Sequence, residues 1–368
     1  MKRIFTVLTS IALTFALSFS AAFANDDAFL KSQNYLKTIT LDSPDAVIAY
    51  EATGMEADYK ADALLNNFKE TDYTTASYGD LAKSIIAISL LGENPKDFNK
   101  INLVEILENR VQEDGTLTND VNGGCGATIW TLMALETVNS PKVKAVADKL
   151  STMAMDNGAY WYEYKGPNAD LDTTGWAMEA LSVAGRSIYE AAISKAYTFV
   201  QSKLNSTDGY YDNWGGNADT QSCVLEGLSV AGYTLDTNAY NYLLSYQNED
   251  GTFNALNYST GQLEPNAYAS VEGARALGVI NNGSFVLKAR KDYTKTTTPV
   301  VTEPETPTTP TKPSTTTPAV KPETTITEPK KETVKVVNTG DNTNVMAYVV
   351  AAIAAVGVIV LVIKSKKK

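Results

Sequence analysis

An internal repeat constrains this chain more than any other feature. A short polar loop leads into a run of small and apolar residues that closes on glycine, most clearly at 169–185. Aligning one small residue in each copy gives steps of 47, 46, 47 and 49 residues. A near-constant step of this size is typical of helical repeats, in which each unit buries its apolar face by stacking on its neighbours. The aligned positions are Ala87, Ala134, Ala180, Gly227 and Ala276.

Each repeat predicts two helices of different character. The first is rich in Ala, Gly, Ser, Leu and Val, as at 176–184, which indicates burial all round. The second carries charges at regular intervals, as at 143–150, and is predicted to keep one face in water. We therefore expect an inner and an outer ring of helices, preceded by a polar lead-in at 25–40. The predicted pairs are 44–53 with 59–69, 76–91 with 98–111, 127–136 with 141–155, 173–184 with 188–204, 220–231 with 237–246, and 267–277 with 285–291.

A glycine turn followed by an apolar or aromatic residue ends most of the second helices. One such turn, Gln247-x-x-x-Gly251-x-Phe253, resembles the prenyltransferase/squalene oxidase repeat, Q-x3-G-x-W/F, of the squalene cyclase and prenyltransferase superfamily; residues 112–117 are a degenerate copy. The resemblance covers residues 43–293. It implies an all-α fold, an α/α toroid of six helical hairpins whose inner helices line a central cavity. Terpenoid cyclases, zinc prenyltransferases, cobalamin carriers and polysaccharide-degrading enzymes share this fold, so it does not by itself indicate an activity.

The two ends of the chain predict export and anchoring. Residues 1–24 have two basic residues, an apolar run and an A-x-A site, as in a secretory signal peptide. After the toroid domain, 25–293, the composition at 294–335 changes to Thr, Pro, Glu and Lys, which predicts an extended stalk. The remaining residues, 336–368, contain an uncharged apolar stretch at 345–363 that is long enough to span a membrane as a helix. Four lysines follow it, so we expect the bulk of the chain to face outward.

A Thr-Gly pair stands just before the apolar stretch. Thr339 and Gly340, with the span and the lysine tail, resemble the cell-wall sorting signal of Gram-positive surface proteins, LPxTG, which a sortase cleaves between Thr and Gly. Valines occupy the Leu and Pro positions here. Two alternatives therefore stay open, covalent attachment to the cell wall and a permanent membrane anchor. Either places the protein on the extracellular face of the membrane or in the wall.

Composition excludes several function classes. The net charge of −11 repels phosphate backbones and argues against a nucleic-acid partner. Since the chain has no histidine, it can build neither a Ser-His nor a Cys-His nucleophile pair, and imidazole ligation of zinc is excluded. We expect no metal site, and the sequence identifies no cofactor. The two cysteines, Cys125 and Cys223, are either small buried residues or a single bridge.

One acid pair is the candidate for catalysis. Asp170 and Asp172, in the stretch DLDTT, resemble the D-x-D-D-T-A motif with which squalene–hopene-type cyclases protonate an alkene, although Thr173 replaces the third carboxylate. On that match Asp172 is the acid and Asp170 its neighbour. Two other interpretations stay open. Asp172 caps the inner helix through the amides of its first turn, or it binds a ligand.

Aromatic and acidic residues gather just before two of the inner helices. Tryptophan and tyrosine faces suit sugar rings or a macrocycle, and helix N-termini favour polar groups, so we expect a ligand at this end of the ring. The alternative is that the aromatics simply fill its centre. The candidate ligand-binding residues are Tyr160, Trp161, Glu163, Trp176, Tyr211, Asp212 and Trp214.

The sequence therefore predicts a surface-anchored toroid that binds a small-molecule or glycan ligand at its aromatic, acid-edged end, with isoprenoid-like and macrocyclic ligands as further possibilities. Two alternatives belong to other classes. One is a secreted enzyme, either cyclase-like with Asp172 as the acid or polysaccharide-cleaving, and the other is an adhesin that binds a protein.

Overall fold

A computed structural model describes residues 26–56, 61–120, 123–162, 168–211 and 216–290. These residues all belong to Met1–Pro299, the first of two units into which the chain divides. The predicted signal peptide, stalk and anchor lie outside the described residues, and so do Thr339 and Gly340.

Helices dominate the described residues, as the repeat predicts. Among the thirteen described helices, the predicted first helix of each pair is found within a few residues of its expected bounds. The helices are α1 Asp26–Thr38, α2 Pro44–Ala52, α3 Ala61–Glu70, α4 Tyr78–Leu90, α5 Leu103–Glu108, α6 Cys125–Thr137, α7 Val143–Thr152, α8 Leu171–Gly185, α9 Glu190–Gln201, α10 Ala218–Val230, α11 Thr237–Ser245, α12 Ala267–Asn282 and α13 Phe285–Ala289. The strands are β1 Leu204–Asn205, β2 Gly209–Tyr210, β3 Phe253–Asn257 and β4 Gln262–Asn266.

Six helices form a closed ring. These inner helices are α2, α4, α6, α8, α10 and α12; each packs on the next, and α12 packs on α2. They are apolar nearly all round, and their buried residues form one hydrophobic core. Several of the helices between them, including α7, α9 and α11, pack outside this ring. The contrast between the two helix types in the sequence is therefore a contrast between an inner and an outer layer.

Two glycines bring one pair of inner helices unusually close. A Cβ on Gly175 of α8 would lie 2.3 Å from the carbonyl oxygen of Cys223, and a Cβ on Gly227 of α10 would lie 2.1 Å from the carbonyl oxygen of Gly175. No side chain fits at either distance. The residues that precede these glycines on the same helices, Asp172 and Asp219, are thereby held on neighbouring backbones.

The N-terminal helix α1 completes the outer layer, which corrects the expectation that residues 25–40 are a polar lead-in. It packs against α12 and α2, where the ring closes, and buries Ala28 and Leu36. The reason is long-range pairing. A polar-looking segment buries its one apolar stripe against an element far away in the sequence.

The Gln-x3-Gly-x-Phe turn explains how α1 is held. Gln247 Nε2 donates hydrogen bonds to Ala28 O and Ser32 Oγ, each at 2.9 Å. A Cβ on Gly251, which has φ +85°, would lie 2.1 Å from Lys31 O, so the turn and α1 are in direct backbone contact. Phe253 is fully buried. The motif therefore holds the turn after α11 against α1, the outer helix next to it in the ring.

The last described helix, α13, does not pack outside α12, which corrects the predicted pairing of 285–291 with 267–277. It packs against α2, α4 and α6 instead, near the C-terminal ends of the inner helices. Its Phe285 stacks on Trp130 with centroids 6.5 Å apart, and Ser284 Oγ bonds Glu179 Oε1 at 3.2 Å. Lys288 and Arg290 pair with Glu51 and Glu136. Residues 284–290 therefore close this end of the ring.

A β-hairpin, which the repeat pattern does not predict, leads into α12. Strands β3 and β4 are antiparallel, with Leu256 opposite Leu263. Both leucines are about half exposed, and Tyr258 in the turn is 82% exposed.

Within the described residues, no helix is long and apolar enough to cross a membrane.

Candidate functional site

The N-terminal ends of the inner helices share one end of the ring, opposite α13. Five of the six have a side-chain cap, which satisfies an amide of the first turn. The capping residues are Ser43, Ser77, Asp170, Asn217 and Asn266.

The exception is α6, whose N-terminal residue Gly124 offers no side-chain cap. Here the amides of Cys125 and Gly126 donate to the carbonyl oxygens of Trp161 and Tyr162, at 2.9 and 3.4 Å. A Cβ on Gly126 would lie 2.7 Å from the ring of Tyr162. The run of small residues at this helix start therefore lets an aromatic segment lie across it.

A cavity of about 580 Å³ opens beside this segment. It lies between the N-terminal ends of α4 and α6, with the rings of Trp130 and Tyr162 among its walls. Hydroxyl, amide and charged groups supply most of the remaining lining, including Ser77, Asn119 and Asp120. The volume lies within the range of about 300–1,000 Å³ that is common for small-molecule sites.

The aromatic wall continues beyond the cavity toward α8. Trp176 makes edge contacts with Trp130 and Tyr162, at centroid distances of 5.7 and 6.4 Å. Trp130 also makes a cation–π contact, because the ammonium of Lys83 lies 4.6 Å from its ring centroid. Tyr162 is half exposed, whereas both tryptophans are buried. The three aromatic side chains form a continuous surface from solvent into the buried centre of the ring of inner helices, which is called the lumen below.

A buried ion cluster lies deeper in the lumen. Arg275 Nε lies 3.1 Å from both carboxylate oxygens of Glu226, and Nη1 lies 3.5 Å from Glu272 Oε1. All three side chains are at most 3% exposed. Burial alone would lower the pKa of Arg275, but Glu226 and Glu272 raise it well above its usual value, so the guanidinium stays charged.

Burial also shifts acids around this cluster. Desolvation, and then the charge of Glu226, raises the pKa of Glu179 well above its usual value. Desolvation, followed by the charge of Glu272, raises the pKa of Asp219 to about 7. Desolvation raises the pKa of the Cys223 thiol, whose Sγ lies 3.5 Å from Glu272 Oε2.

The acid pair predicted from the sequence is divided between two roles. Asp170, not Asp172, caps α8. Its Oδ1 accepts hydrogen bonds from the Thr173 amide at 2.7 Å and from the Thr173 hydroxyl at 2.5 Å. The interpretation that Asp172 is the cap is therefore wrong. Asp172 lies in the first turn, and its charge acts on Cys223 of α10.

The predicted aromatic residues differ in their exposure. Tyr160 is fully buried and forms an antiparallel backbone bridge with Asp170, so it holds the two ends of segment 160–170 together. Trp161 is partly buried against the core, and Tyr211 is 48% exposed. Glu163, Asp212 and Trp214 lie outside the described residues.

The residues predicted from the sequence do not include four that line the lumen, although the repeat places them at shared positions. These are Trp130, Glu179, Glu226 and Arg275. Trp130 and Trp176 are 46 residues apart, and Glu179 and Glu226 are 47 apart, so each pair occupies one repeat position. Arg275 occupies the same position as Glu226 in the last repeat, 49 residues on. Aligning all lumen-facing positions, and not only the small residues, would have placed these groups together.

Two further expectations concern cysteines and metals. Cys125 and Cys223 are both buried and free, so they do not form a bridge. The part of the chain that the structure describes holds no cluster of three or more Cys, Asp or Glu arranged to bind a metal ion.

Comparisons with known proteins leave the family open. No protein-family model matches the chain, and no curated protein matches it. The crystal structure of a protein from Actinoplanes is similar at a TM-score of 0.44 and 13% sequence identity, covering 74% of this chain and 99% of that chain. A similarity this weak carries no argument about family or activity.

Proposed function

We propose that this protein is a cell-surface ligand-binding module of the α/α toroid class. Its ligand lies at the end of the ring where the inner helices begin. The observation that carries the proposal is the cavity of about 580 Å³ that joins solvent to the aromatic surface of Tyr162 and Trp130. The closed ring of inner helices and the outer layer support the toroid class.

The chemistry of the lining favours a hydroxylated ring over an isoprenoid chain. An isoprenoid would remove water from the side-chain amides of Asn109 and Asn119 without offering them a hydrogen-bond partner, which is costly. A sugar offers hydroxyl groups to these side chains and an apolar ring face to Tyr162. The proposed ligand is therefore a glycan or a small polar ring of similar size.

The ends of the chain complete the proposal. Residues 1–24 direct export, residues 294–335 act as a stalk, and the apolar stretch at 345–363 anchors the protein, with or without sortase cleavage at Thr339.

The proposal is tested by screening the protein against soluble oligosaccharides by thermal shift, followed by calorimetry on the sugars that stabilise it. Tyr162→Ala removes the half-exposed ring from the cavity wall while leaving the core intact. We expect it to weaken binding at least tenfold, since a stacked aromatic side chain contributes roughly 1.5–3 kcal/mol through buried apolar area.

Tyr258→Ala is the matched control, because this tyrosine is 82% exposed in the β3–β4 turn and does not line the cavity. It should bind like the wild type. Equal binding by wild type and Tyr162→Ala, or failure of every sugar to stabilise the wild type, would count against a glycan site in this cavity.

A further inference from the structure

One wall of the cavity is the loop that leads into α4. Thr74, Thr75 and Ser77 line the cavity from this loop. The Thr74 hydroxyl lies 2.6 Å from Asp72 Oδ1, and the Thr75 hydroxyl lies 3.0 Å from Asp72 Oδ2. The Ser77 hydroxyl lies 2.7 Å from Asp80 Oδ2. Each of the three hydroxyl groups therefore has a carboxylate oxygen as its partner.

The direction of these hydrogen bonds decides what the wall offers to a ligand. An ionised carboxylate has no hydrogen to give, so each hydroxyl must be the donor. Hydrogen bonds from Thr74, and then from Thr75, lower the pKa of Asp72 and keep it ionised. A hydroxyl has one hydrogen, which is used here, and it keeps lone pairs that can accept. The loop hydroxyls can therefore accept hydrogen bonds from a ligand but cannot donate to it.

The Tyr78 hydroxyl, at the start of α4, is committed in the same way. It lies 2.6 Å from Thr118 O and 3.1 Å from Arg110 O. Carbonyl oxygens only accept, so the single hydrogen of this hydroxyl is shared between them. Tyr78 lines the cavity, as Thr118 and Arg110 do. A fourth hydroxyl of the lining thus presents only acceptor capacity.

Among the described lining residues, Arg110 carries the positive charge, and its guanidinium is bound to the loop. Nη1 donates to Ala76 O at 2.7 Å, and Nη2 donates to Tyr73 O at 3.0 Å and Thr74 O at 2.9 Å. The guanidinium also lies 5.6 Å from the ring centroid of Tyr78. The planar fork that could hold a carboxylate with two hydrogen bonds therefore holds the loop wall in position instead.

The charges around the cavity also disfavour an anion. Asp120 lines the cavity, and Asp72 and Asp80 lie directly behind its hydroxyl groups. The Lys83 ammonium, which contacts the Trp130 ring of the lining, forms a salt bridge of 2.8 Å with Asp45. An acidic ligand would meet like charge here, and its carboxylate would lose water without gaining a cationic partner.

We propose that this cavity selects neutral, hydroxyl-rich sugars and discriminates against sugars that carry a carboxylate. The inference rests on the proposed function and narrows its ligand class. Sugar hydroxyls donate to the lone pairs of Thr74, Thr75 and Ser77. The side-chain amides of Asn109 and Asn119 donate to the ring and linkage oxygens of the sugar. A carboxylate has no hydrogen to give to the hydroxyl wall.

Calorimetry of the full chain with matched sugars tests the inference. Glucose and glucuronate, like galactose and galacturonate, differ only at C6, where a carboxylate replaces the primary alcohol. At pH 7 and constant ionic strength, the neutral member should bind at least about tenfold more tightly, because the acid loses hydrogen bonds and gains repulsion. Acidic members that bind as tightly as the neutral ones, or more tightly, overturn the inference but keep the proposed function. If no member of either pair binds, both fail.

Asp72→Asn reverses one hydrogen bond of the wall. The amide oxygen replaces Oδ1 as the acceptor for the Thr74 amide and hydroxyl, which places the amide nitrogen beside the Thr75 hydroxyl. That hydroxyl then accepts, its own hydrogen is freed for the ligand, and one negative charge is lost. The ratio of neutral to acidic affinity should therefore fall by at least about threefold.

Asp250→Asn is the matched control. Asp250 bonds the Thr252 amide and hydroxyl at 3.0 and 2.6 Å, the distances that Asp72 makes with Thr74, and it is not among the described residues of the cavity wall. Its affinity ratio should equal that of the wild type. If the wild type is selective and Asp72→Asn keeps the same ratio, the loop hydroxyls do not determine the selectivity, and the inference is overturned.

Discussion

At the scale of single residues, burial and partnership decide what each lumen acid can do. Glu226 is fully buried, and desolvation raises its pKa, but the charge of Arg275 and its hydrogen bonds oppose that rise. Desolvation, followed by the charge of Glu272, raises the pKa of Asp219 to about 7, and the charge of Arg275 opposes this rise. The two carboxyl groups therefore differ in their partners: Glu226 binds the Arg275 guanidinium directly, whereas Asp219 Oδ1 has no hydrogen-bond partner among the described residues.

This difference predicts how stability depends on pH. An aspartate whose folded pKa is raised binds its proton more tightly in the folded state, so Asp219 supports folding below the ordinary aspartate pKa and this support is lost as pH rises to about 7. The free energy of unfolding of wild type minus that of Asp219→Asn should therefore fall between about pH 4 and pH 7, at no more than about 1.4 kcal/mol per pH unit. Urea unfolding at several pH values measures it.

Asp250→Asn provides a control of opposite sign. Hydrogen bonds from Thr252 lower the pKa of Asp250, so its contribution is constant above the ordinary aspartate pKa and is lost only as pH falls below it. A difference curve for Asp219→Asn that is flat from pH 4 to pH 7 would show that the Asp219 carboxylate is solvated in the folded state.

At the scale of elements, the close approach of α8 and α10 determines where the two lumen aspartates lie. Gly227→Ala places a methyl group 2.1 Å from the Gly175 carbonyl oxygen, on backbone that cannot move aside cheaply. We expect a loss of about 1–3 kcal/mol or more from overpacking, seen as a lower midpoint of urea unfolding.

Gly79→Ala is the matched control within the ring. This glycine also lies near the start of an inner helix, but a Cβ there meets nothing closer than Ser77 Oγ at 3.9 Å. The substitution should stabilise α4 by roughly 0.5–1 kcal/mol through helix propensity. Equal effects of the two substitutions would mean that α8 and α10 are not in backbone contact in solution.

At the scale of the whole molecule, the repeat predicts the inner helices but not how the ring is closed. The DLDTT stretch alone offers two carboxylates as the cap of α8. The repeat alignment identifies the correct one, because Asp170 aligns with the caps Asn217 and Asn266 of the later inner helices. The roles of α1 and α13 lie outside any repeat. Gln247 bonds Ala28 and Lys288 bonds Glu51 across more than 200 residues, and such pairings leave no periodic signal.

Closure by α1 makes a prediction about the cooperativity of the ring. Leu36 is fully buried where α1 covers the contact between α12 and α2, whereas Leu30 on the same helix is 53% exposed. Leu36→Ala should cost about 2–5 kcal/mol, and Leu30→Ala should stay within about 0.5 kcal/mol. The described tryptophans, Trp130, Trp161 and Trp176, belong to α6, to the segment before α8 and to α8, and so lie outside α1, α2 and α12. In a ring that unfolds as one unit, Leu36→Ala lowers the urea midpoint of tryptophan fluorescence as much as that of circular dichroism. If the fluorescence midpoint stays at its wild-type value while the dichroism midpoint falls, α1 stabilises only its own neighbourhood, and the ring does not depend on it.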